Sequence, residues 1–247
     1  MAGEEALRVI FNTEINGIPV RAVYSGACVR EVLQPLLLRL EALRRQKGGR
    51  VLVLLAAPPA AGKSTLSAFL GSLSVPLTVI GMDGFHRRQQ ELLTHTCVRD
   101  GQEIPLVRIK GAPETFDLAK LTEAVRRVAA GESIGWPVYD RLLHDPVDDA
   151  VRVTGDIVLL EGNYLLLDAP GWRELRQYAD YTISVTAEEP VLRDRLINRR
   201  IATGVERKAA EAFVDFSDMA NVRLCLTRTL PADLRLRLTA EGDYVRL

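Results

Sequence analysis

The sequence predicts an α/β fold in which a mostly parallel β-sheet lies between layers of helices. Two observations lead to this prediction. Short apolar runs suited to buried strands alternate along the chain with longer amphipathic segments that have the period of a helix. One such run, at 51–55, precedes a Gly-Lys-Ser turn at 62–64, and a helical pattern follows, as in the strand-loop-helix units of parallel sheets.

Length and composition fit one large domain with small additions. The chain has 247 residues, 47% of them hydrophobic and 26% charged, and its formal net charge is zero, so no basic excess indicates nucleic-acid binding. Cys28, Cys97 and Cys225 lie far apart without the spacing of a disulfide framework or zinc site, which fits a reducing compartment. We see neither a signal peptide nor an apolar run of about 18 residues, and expect a cytoplasmic monomer or homodimer that does not bind membranes.

The N-terminal part predicts a β-hairpin followed by a kinked helix. Residues 7–24 alternate roughly between apolar and polar, and Asn16-Gly17 within them is a strong hairpin signal. From about residue 28 to residue 47, apolar side chains recur at helical spacing, and two glycines at 48–49 end the pattern. Pro35 lies inside this helix and predicts a kink or a later start.

The remaining elements follow from the same signals, and they divide the chain into three parts. We predict strands at 51–55, 77–82, 157–160 and 181–185, and helices from the cap Asp117 to about 130, at 189–203 and at 206–228. The parts are a hairpin and helix at 1–48, the main domain at 49–230 with a lid at about 189–204, and a hairpin at 231–247. We expect the two terminal hairpins to pair with each other as a small annex.

A phosphate-binding loop follows the first strand of the main domain. Residues 57–64 read A-P-P-A-A-G-K-S, which is the pattern G-x-x-x-x-G-K-[ST] with alanine in place of the first glycine. Such a loop turns backbone N–H groups onto an anion, Lys63 reaches the β- and γ-phosphates, and Ser64 holds Mg²⁺. The predicted ligand is a nucleoside triphosphate, ATP by default, and the alternative is an ordinary turn with a solvated lysine. The loop residues expected at the nucleotide are Pro59, Ala60, Ala61, Gly62, Lys63, Ser64 and Thr65.

Two alanines distinguish this loop from its usual glycine-rich form. Ala57 and Ala60 stand where such loops often have glycine, and alanine strongly disfavours a positive φ. Either both positions adopt a negative φ, or the loop is slightly reshaped.

Carboxylates follow two other predicted strands. Asp83 directly follows the strand predicted at 77–82, and Glu161 directly follows the strand predicted at 157–160. Because ligands bind at the carboxyl ends of parallel strands, we expect both carboxylates near Lys63 and Ser64. We assign Asp83 as the base that deprotonates an attacking hydroxyl and Glu161, with Ser64, as the magnesium-linked residue. The alternatives are a cap or turn residue for Asp83 and a capping or lid-pairing residue for Glu161.

These motifs and two later segments resemble the P-loop kinase group that contains uridine kinase, phosphoribulokinase and bacterial type I pantothenate kinase. The segments are A-P-P-A-A-G-K-S-T at 57–65, M-D-G-F-H at 82–86, K-G-A-P-E-T-F-D at 110–117 and W-P-V-Y-D-R-L-L-H-D at 136–145, followed by L-L-E-G-N at 159–163. The resemblance extends over nearly the whole chain to an uncharacterised bacterial branch of nucleoside/nucleotide (fructokinase-like) kinases. It implies a three-layer P-loop NTPase fold with a helical lid, and the use of ATP and Mg²⁺.

The resemblance also implies an acceptor pocket beside Asp83. The group's catalytic aspartate falls on Asp83, and its pocket residues fall on Tyr139 and His144. A ribose-contacting aspartate of uridine kinases aligns with Gly111, and pantothenate kinases have further aromatic residues where Arg141 and His144 stand here. Neither classical acceptor is therefore well supported.

The residues that remain make this pocket polar and cationic. A sugar, a sugar phosphate or a nucleoside-like compound would suit it. The expected substrate-binding residues are His86, Lys110, Glu114, Tyr139, Arg141 and His144. The alternative is that Lys110 and Arg141 are solvated or paired with Glu114 and Asp140.

Arginines cluster on the helix predicted at 189–203, at positions 193, 195, 199 and 200. Arg195 and Arg199 are four residues apart and therefore share a face. In the resembled group a helical lid brings arginines over the triphosphate, which makes these two the expected catalytic pair. The alternative is a salt-bridged surface helix. The resemblance further places Asn221 near the adenine.

The combined prediction is an ATP-dependent phosphotransferase that moves the γ-phosphoryl group to a hydroxyl of a small metabolite. Its catalytic residues would be Lys63, Asp83, Arg195 and Arg199. The alternatives are pantothenate kinase-like activity, or a P-loop ATPase or switch protein without a small-molecule acceptor. Nucleic-acid binding through the arginine helix fits poorly with zero net charge.

Overall fold

The computed structural model describes residues 7–15, 17–99 and 101–247. The strands within these ranges are β1 (Arg8–Ile15), β2 (Ile18–Ser25), β3 (Val51–Ala56), β4 (Thr78–Gly81), β5 (Thr96–Arg99), β6 (Gln102–Pro105), β7 (Ile134–Asp140), β8 (Asp145–Val153), β9 (Ile157–Gly162), β10 (Tyr181–Thr186), β11 (Leu234–Leu238) and β12 (Tyr244–Arg246).

The helices surround these strands. The α-helices are α1 (Gly26–Cys28), α2 (Gln34–Lys47), α3 (Lys63–Gly71), α4 (Gln89–Thr94), α5 (Leu118–Ala129), α6 (Glu189–Ala202), α7 (Arg207–Phe213) and α8 (Met219–Arg228). Short π-helical segments, Val29–Leu33 and Val214–Asp218, join α1 to α2 and α7 to α8. The 3₁₀ turns are Met82–Phe85, Leu106–Ile109, Pro113–Thr115 and Arg173–Tyr178. None of these helices is long and apolar enough to cross a membrane.

A six-stranded sheet with the order β12-β11-β10-β3-β9-β4 forms the centre. Its first five strands in chain order are parallel, and only the edge strand β12 runs antiparallel. Side chains of β3 alternate between two cores: Val51, Val53 and Leu55 face one, whereas Leu52 and Leu54 face the other. A strand buried on both faces reads as a continuous apolar run, which is why the sequence predicts it well. The predicted three-layer fold with a mostly parallel sheet is confirmed.

The two terminal hairpins lie in different sheets. The N-terminal hairpin β1–β2 forms as predicted, although Asn16 of its turn lies outside the described residues, and it packs on α3 through Phe11 and Tyr24 against Phe69. The C-terminal hairpin β11–β12 instead extends the central sheet, because β11 pairs in parallel with β10. The prediction that the hairpins pair with each other is therefore wrong. The buried leucines of β11 complete the core beside β10.

The kink predicted at Pro35 takes the form of a change in helix type. Residues Val29–Leu33 are π-helical, and the regular helix α2 begins at Gln34 with Pro35 in its first turn. Proline is tolerated there because a first-turn N–H has no partner within the helix. The helix ends at Gly48, whose φ of 67° is the left-handed cap expected of glycine.

Two hairpins in the main domain are absent from the sequence prediction, and one of them shapes the cleft. Strands β7 and β8 pair from Ile134↔Val153 to Asp140↔Asp145. The kinase-like sequence segment at 136–145 therefore forms most of the first strand of this hairpin and its turn. The base of this hairpin is fixed to the end of β4, because the indole nitrogen of Trp136 donates to the carbonyl of Gly81 at 2.8 Å. The second hairpin, β5–β6, lies nearby in the chain.

Gly84 allows the β7–β8 hairpin to approach the 3₁₀ turn Met82–Phe85. A Cβ on residue 84 would clash with the backbone carbonyl of Pro137, which cannot rotate away. We expect Gly84→Ala to lower the free energy of unfolding by about 1–3 kcal/mol through overpacking. Urea denaturation followed by circular dichroism measures this change.

The matched control for that experiment is Gly49→Ala. A Cβ at residue 49 meets no heavy atom within 4 Å, and its φ is not positive. We expect this variant to keep the stability of the parent chain. Equal stability of the two variants would contradict the close approach at Gly84.

Candidate active site

The cleft lies at the carboxyl ends of β3, β9 and β4. The register pairs Glu161 of β9 with Leu55 of β3 on one side and with Gly81 of β4 on the other. The phosphate loop leaves β3 one residue after that level, and Asp83 follows β4 by two residues. The predicted convergence of loop and carboxylates is therefore a direct result of three neighbouring parallel strands.

The phosphate loop has one strained alanine. Ala60 has a φ of 65°, whereas Ala57 is not among the residues with positive φ. The loop ends at Gly62, with a φ of 77°, and α3 begins at Lys63. A left-handed alanine costs roughly 1–2 kcal/mol, and such strain is typical of functional loops. Of the two alternatives for the alanines, Ala57 adopts a negative φ, and Ala60 accepts the strained conformation.

Contacts from distant parts of the chain support this loop. The hydroxyl of Tyr244, in the last strand, donates to the carbonyl of Ala61 at 3.0 Å, and Tyr244 is 2% exposed. From the helix α6, the guanidinium of Arg195 donates to the carbonyl of Ala60 at 3.4 Å. Sequence reasoning found Arg195 but missed Tyr244, for which the only signal is a large polar aromatic residue in an apolar edge strand.

Glu161 joins the two polar residues that open α3. The hydroxyl of Ser64 donates to Glu161 Oε1 at 2.7 Å, and the ammonium of Lys63 lies 3.9 Å from Oε2. Burial raises the pKa of Glu161, Lys63 counteracts this, the nearby charge of Asp83 raises the pKa further, and the Ser64 hydrogen bond lowers it. A buried carboxylate beside a hydroxyl offers the hard oxygen ligands that Mg²⁺ prefers, so the residues present fit this ion.

Asp83 occupies the centre of the cleft. It lies half-buried in the 3₁₀ turn Met82–Phe85, and its charge acts on groups from three directions. It raises the pKa of Glu161 on the phosphate side, of Tyr139 on the hairpin side and of Arg199 on α6. A carboxylate between a phosphate loop, a hairpin and a helix is placed to act on a bound molecule that touches all three.

His86 forms one wall beside Asp83. Its Nδ1 lies 2.8 Å from the carbonyl oxygen of Asp83, and its ring packs against Phe116 at a centroid distance of 3.9 Å and against Tyr139 at 5.1 Å. Burial lowers the pKa of His86, as do the charges of Lys110 and Arg141, while Asp83 raises it. Because burial is the largest of these effects, the imidazole is held toward its neutral form.

Lys110 and His144 meet through the backbone. The Lys110 ammonium donates to Gln89 Oε1 at 2.7 Å and to the carbonyl of His144 at 3.0 Å, and it lies 5.2 Å from the centre of the Tyr139 ring. His144 has a φ of 56°, an unusual backbone for a residue with a side chain. The structure thus brings Lys110 and Tyr139 together. His144 contributes only its carbonyl oxygen to this contact, and the residue is otherwise exposed.

The carboxylates considered as partners for Lys110 and Arg141 are engaged elsewhere. Glu114 accepts two hydrogen bonds from Arg99, at 3.0 and 2.6 Å. Asp140 accepts from the backbone N–H groups of residues 142 and 143 and closes the hairpin turn. Arg99 was not among the sequence-predicted residues, because its strand β5 lacked a recognisable pattern. The predicted substrate contact of Glu114 stays a prediction.

The four arginines of α6 divide into two pairs. Arg193 binds Asp215 at 2.7 Å, and Arg200 binds Asp218 at 3.0 Å, so this pair ties α6 to the following helices. Arg195 reaches the phosphate loop, as described above. Arg199 is exposed, and its pKa is lowered by the protein atoms packed around it and by Arg141 and Arg200, while Asp218 and Asp83 raise it. The structure therefore separates the two arginines favoured by the sequence from the two that pair with aspartates of the following helices.

Asn221 lies away from the exposed surface. It is 5% exposed on α8, and its amide nitrogen is 4.0 Å from the position that a Cβ of Gly111 would occupy. Tyr164, which sequence reasoning missed, donates from its hydroxyl to the Gly111 carbonyl at 2.6 Å and holds the same segment. The predicted adenine contact of Asn221 stays a prediction.

The chain is similar in sequence to proteins from bacteria and yeast. No family model matches the chain. The chain is 42% identical over 237 residues to the uncharacterised protein YggC of Escherichia coli strain K12, which spans 93% of this chain and 96% of that protein. It is 31% identical over 209 residues to C227.14 of Schizosaccharomyces pombe, a candidate uridine kinase, with 80% of this chain and 86% of that protein covered.

A solved structure agrees with these relatives. The candidate fructose transport system kinase from Silicibacter sp. TM1040 is 34% identical and superposes with a TM-score of 0.75, covering 83% of this chain and 98% of that one. The resemblance inferred from the sequence motifs is confirmed by both kinds of comparison. The chain is a kinase by this relationship, and it belongs to the P-loop kinases of the uridine kinase and pantothenate kinase group, in the bacterial branch that includes YggC.

Proposed function

We propose that the protein transfers the γ-phosphoryl group of ATP to a hydroxyl of a small metabolite, with Asp83 as the base. Membership in the kinase group implies the use of ATP. The observation that supports the acceptor chemistry best is the position of Asp83, whose charge reaches both the phosphate-side Glu161 and the hairpin-side Tyr139. A base that serves both sides of a cleft fits a reaction between two bound molecules.

The transfer follows from the positions of these groups. The acceptor hydroxyl gives its proton to the Asp83 carboxylate as its oxygen attacks the γ-phosphorus, and the bond to the bridging oxygen of ADP breaks. Lys63 and the two lid arginines, Arg195 and Arg199, counter the negative charge that spreads over the moving phosphoryl group. The His86 ring, packed against Phe116 and Tyr139, would limit the access of water to the same phosphorus from this side.

Mg²⁺ would be held by Ser64 and, directly or through water, by Glu161. When bound, it would supply positive charge that offsets the negative charge of the transferring phosphoryl group. The Ser64 hydroxyl and the Glu161 carboxylate are already 2.7 Å apart, so both oxygens face the same small volume.

A pocket on the acceptor side argues against an ATPase or switch protein without a small-molecule acceptor. Such a protein needs a group that orients water, but it has no use for the ring wall of His86 and Tyr139 or for Lys110 beside it. Pantothenate kinase-like activity remains the alternative within the kinase class, and a screen that includes pantothenate distinguishes the two.

The first prediction concerns Asp83. We expect Asp83→Asn to lower kcat by about 10²- to 10⁴-fold while the Kd for ATP stays nearly unchanged, because the amide cannot take the hydroxyl proton. The measurement is ADP release with sugars, sugar phosphates, nucleosides and pantothenate as acceptors, together with ATP binding by calorimetry.

The control for Asp83→Asn is Asp156→Asn. Asp156 is an exposed residue that precedes β9 at the opposite end of the sheet, and its partner Arg44 lies 3.6 Å away on the surface. Full turnover by Asp83→Asn with the best acceptor would refute the base assignment. ATP hydrolysis that no acceptor accelerates would instead favour the ATPase alternative.

The second prediction concerns Glu161. We expect Glu161→Gln to raise the Mg²⁺ concentration for half-maximal ADP release by about tenfold or more, since a neutral amide is a weaker ligand and hydrogen-bond partner. Magnesium titrations at constant free ATP measure the effect, and Glu123→Gln on the exposed face of α5 serves as the control. An unchanged magnesium requirement would remove Glu161 from the metal site.

The third prediction compares arginines on one helix. We expect Arg199→Gln to lower kcat by about a hundredfold or more, because it loses a cation near the transferring group. Arg193→Gln is the matched control, since its guanidinium is tied to Asp215 on the surface. Steady-state kinetics of both variants decide the point, and similar kcat values would place the catalytic arginine elsewhere.

A further inference from the structure

The acceptor side of the cleft contains cations whose hydrogen bonds go to neutral groups. Lys110 donates to an amide oxygen of Gln89 and to the backbone carbonyl of His144. Burial lowers the pKa of Lys110, and only the charge of Asp145 raises it. Asp145 itself accepts a hydrogen bond from the backbone N–H of Gln89. The Lys110 ammonium is therefore partly withdrawn from water without a carboxylate bound to it.

Arg141 lies in the turn of the β7–β8 hairpin, between the paired residues Asp140 and Asp145, and is exposed. Among the described residues, no carboxylate lies within 4.0 Å of its guanidinium, and the neighbouring Asp140 is committed to the turn. Its charge lowers the pKa of His86 and of Tyr139, and the turn that contains Arg141 is bound to Lys110 through the carbonyl of His144 at 3.0 Å. Lys110 also lowers the pKa of His86. The two cations thus converge on one wall of the acceptor pocket.

Among the described residues, no salt bridge joins the cations of this wall to a carboxylate. Lys110 and Arg141 contribute two positive charges, and burial holds His86 toward its neutral form. The carboxylates that act on the wall are Asp145, Asp140 and the proposed base Asp83, of which the last must remain free to accept a proton. Arg199, from the lid side, adds a third cation near Arg141 and Asp83. A neutral polyol bound against this wall would remove water from the Lys110 ammonium without supplying a counter-charge, which is unfavourable for a desolvated cation.

We propose that the phosphate acceptor is itself an anion, a small hydroxylated carboxylate or phosphate ester, whose charged group binds Lys110 and Arg141 while its hydroxyl faces Asp83. This inference rests on the proposed function and narrows it to one acceptor class. A guanidinium and an ammonium on one wall suit the oxygens of either anion, because Arg binds carboxylate and phosphate in a fork and Lys adds a point charge.

Matched pairs of acceptors test the charge directly. ADP release is measured with pantothenate against pantothenol, glycerate against glycerol, and fructose 6-phosphate against fructose. We expect turnover only with anionic members, and the active pair identifies the carboxylate or the phosphate as the preferred group. Equal or faster turnover of a neutral member would overturn the inference and leave the proposed kinase function intact. ATP hydrolysis that none of the compounds changes would count against the proposed function instead.

Variants locate the anion. Lys110→Gln and Arg141→Gln should each raise the KM for the anionic acceptor by about tenfold to a hundredfold, with little change in the KM for ATP. The control is Arg152→Gln, an exposed arginine on β8 of the same hairpin that pairs with Gly135, far from the turn. Lys110→Arg keeps the charge and should recover part of the affinity. A larger effect on ATP than on the acceptor would place both cations at the triphosphate and overturn the inference.

A binding experiment gives a decision without a known acceptor. Inorganic phosphate is titrated calorimetrically into the full chain saturated with AMP-PNP and Mg²⁺, so that the phosphate loop is already filled. We expect the parent chain and Arg152→Gln to bind phosphate, and the Lys110→Gln/Arg141→Gln double variant to bind it at least about tenfold more weakly. Absence of binding to the parent chain, or equal binding by the double variant, would overturn the anion site.

Discussion

Glu161 is a largely buried carboxylate at the carboxyl end of β9 in the central sheet, and its burial constrains the groups around it. A charge in that position needs partners, and the chain supplies them from a different element, the first turn of α3, through the Ser64 hydroxyl and the Lys63 ammonium. These contacts form only if β3 and β9 are adjacent and in register, so that the loop leaves the sheet beside residue 161. The arrangement of the phosphate loop thus depends on strand pairing as much as on the loop's own sequence.

The acceptor half of the cleft depends on a second constraint, which is steric. Gly84 leaves room for the backbone of Pro137, and Gly162 leaves room for the side chain of Met82. The turn that contains Asp83 is therefore packed between β9 on one side and the β7–β8 hairpin on the other. Because Asp83, the proposed base, belongs to this packed turn, its position is set by the same contacts that bring Tyr139 beside His86.

The parts of the molecule that the sequence predicts are those whose signals are local. The strand β3 is a continuous apolar run, and Asp83 and Glu161 follow apolar runs whose ends must meet in a parallel sheet. The β7–β8 hairpin is not predicted from the sequence, because Pro137 lies inside its first strand and a bulge interrupts the alternation of apolar and polar residues. The pairing of Arg99 with Glu114 depends on a hairpin with no strong pattern, and no sequence rule indicates it. The alternating leucines and arginines of β11 fit an isolated hairpin and a sheet edge equally well. The two are distinguished only by the tertiary structure, in which β11 pairs with the side of β10 that β3 does not occupy.

The loop at 57–62 is supported by Tyr244, a residue that is synthesised much later than the loop itself. The loop is made early, at residues 57–62, whereas the hydroxyl that donates to Ala61 arrives with the last strand. The same strand is joined to the N-terminal elements, because the Tyr244 N–H lies 3.4 Å from the thiol of Cys28 and Asp243 accepts from the N–H of Ser25. A growing chain therefore has its nucleotide loop long before it has the group that supports it. The hydrogen bond that supports this loop therefore forms only after β12 has been synthesised.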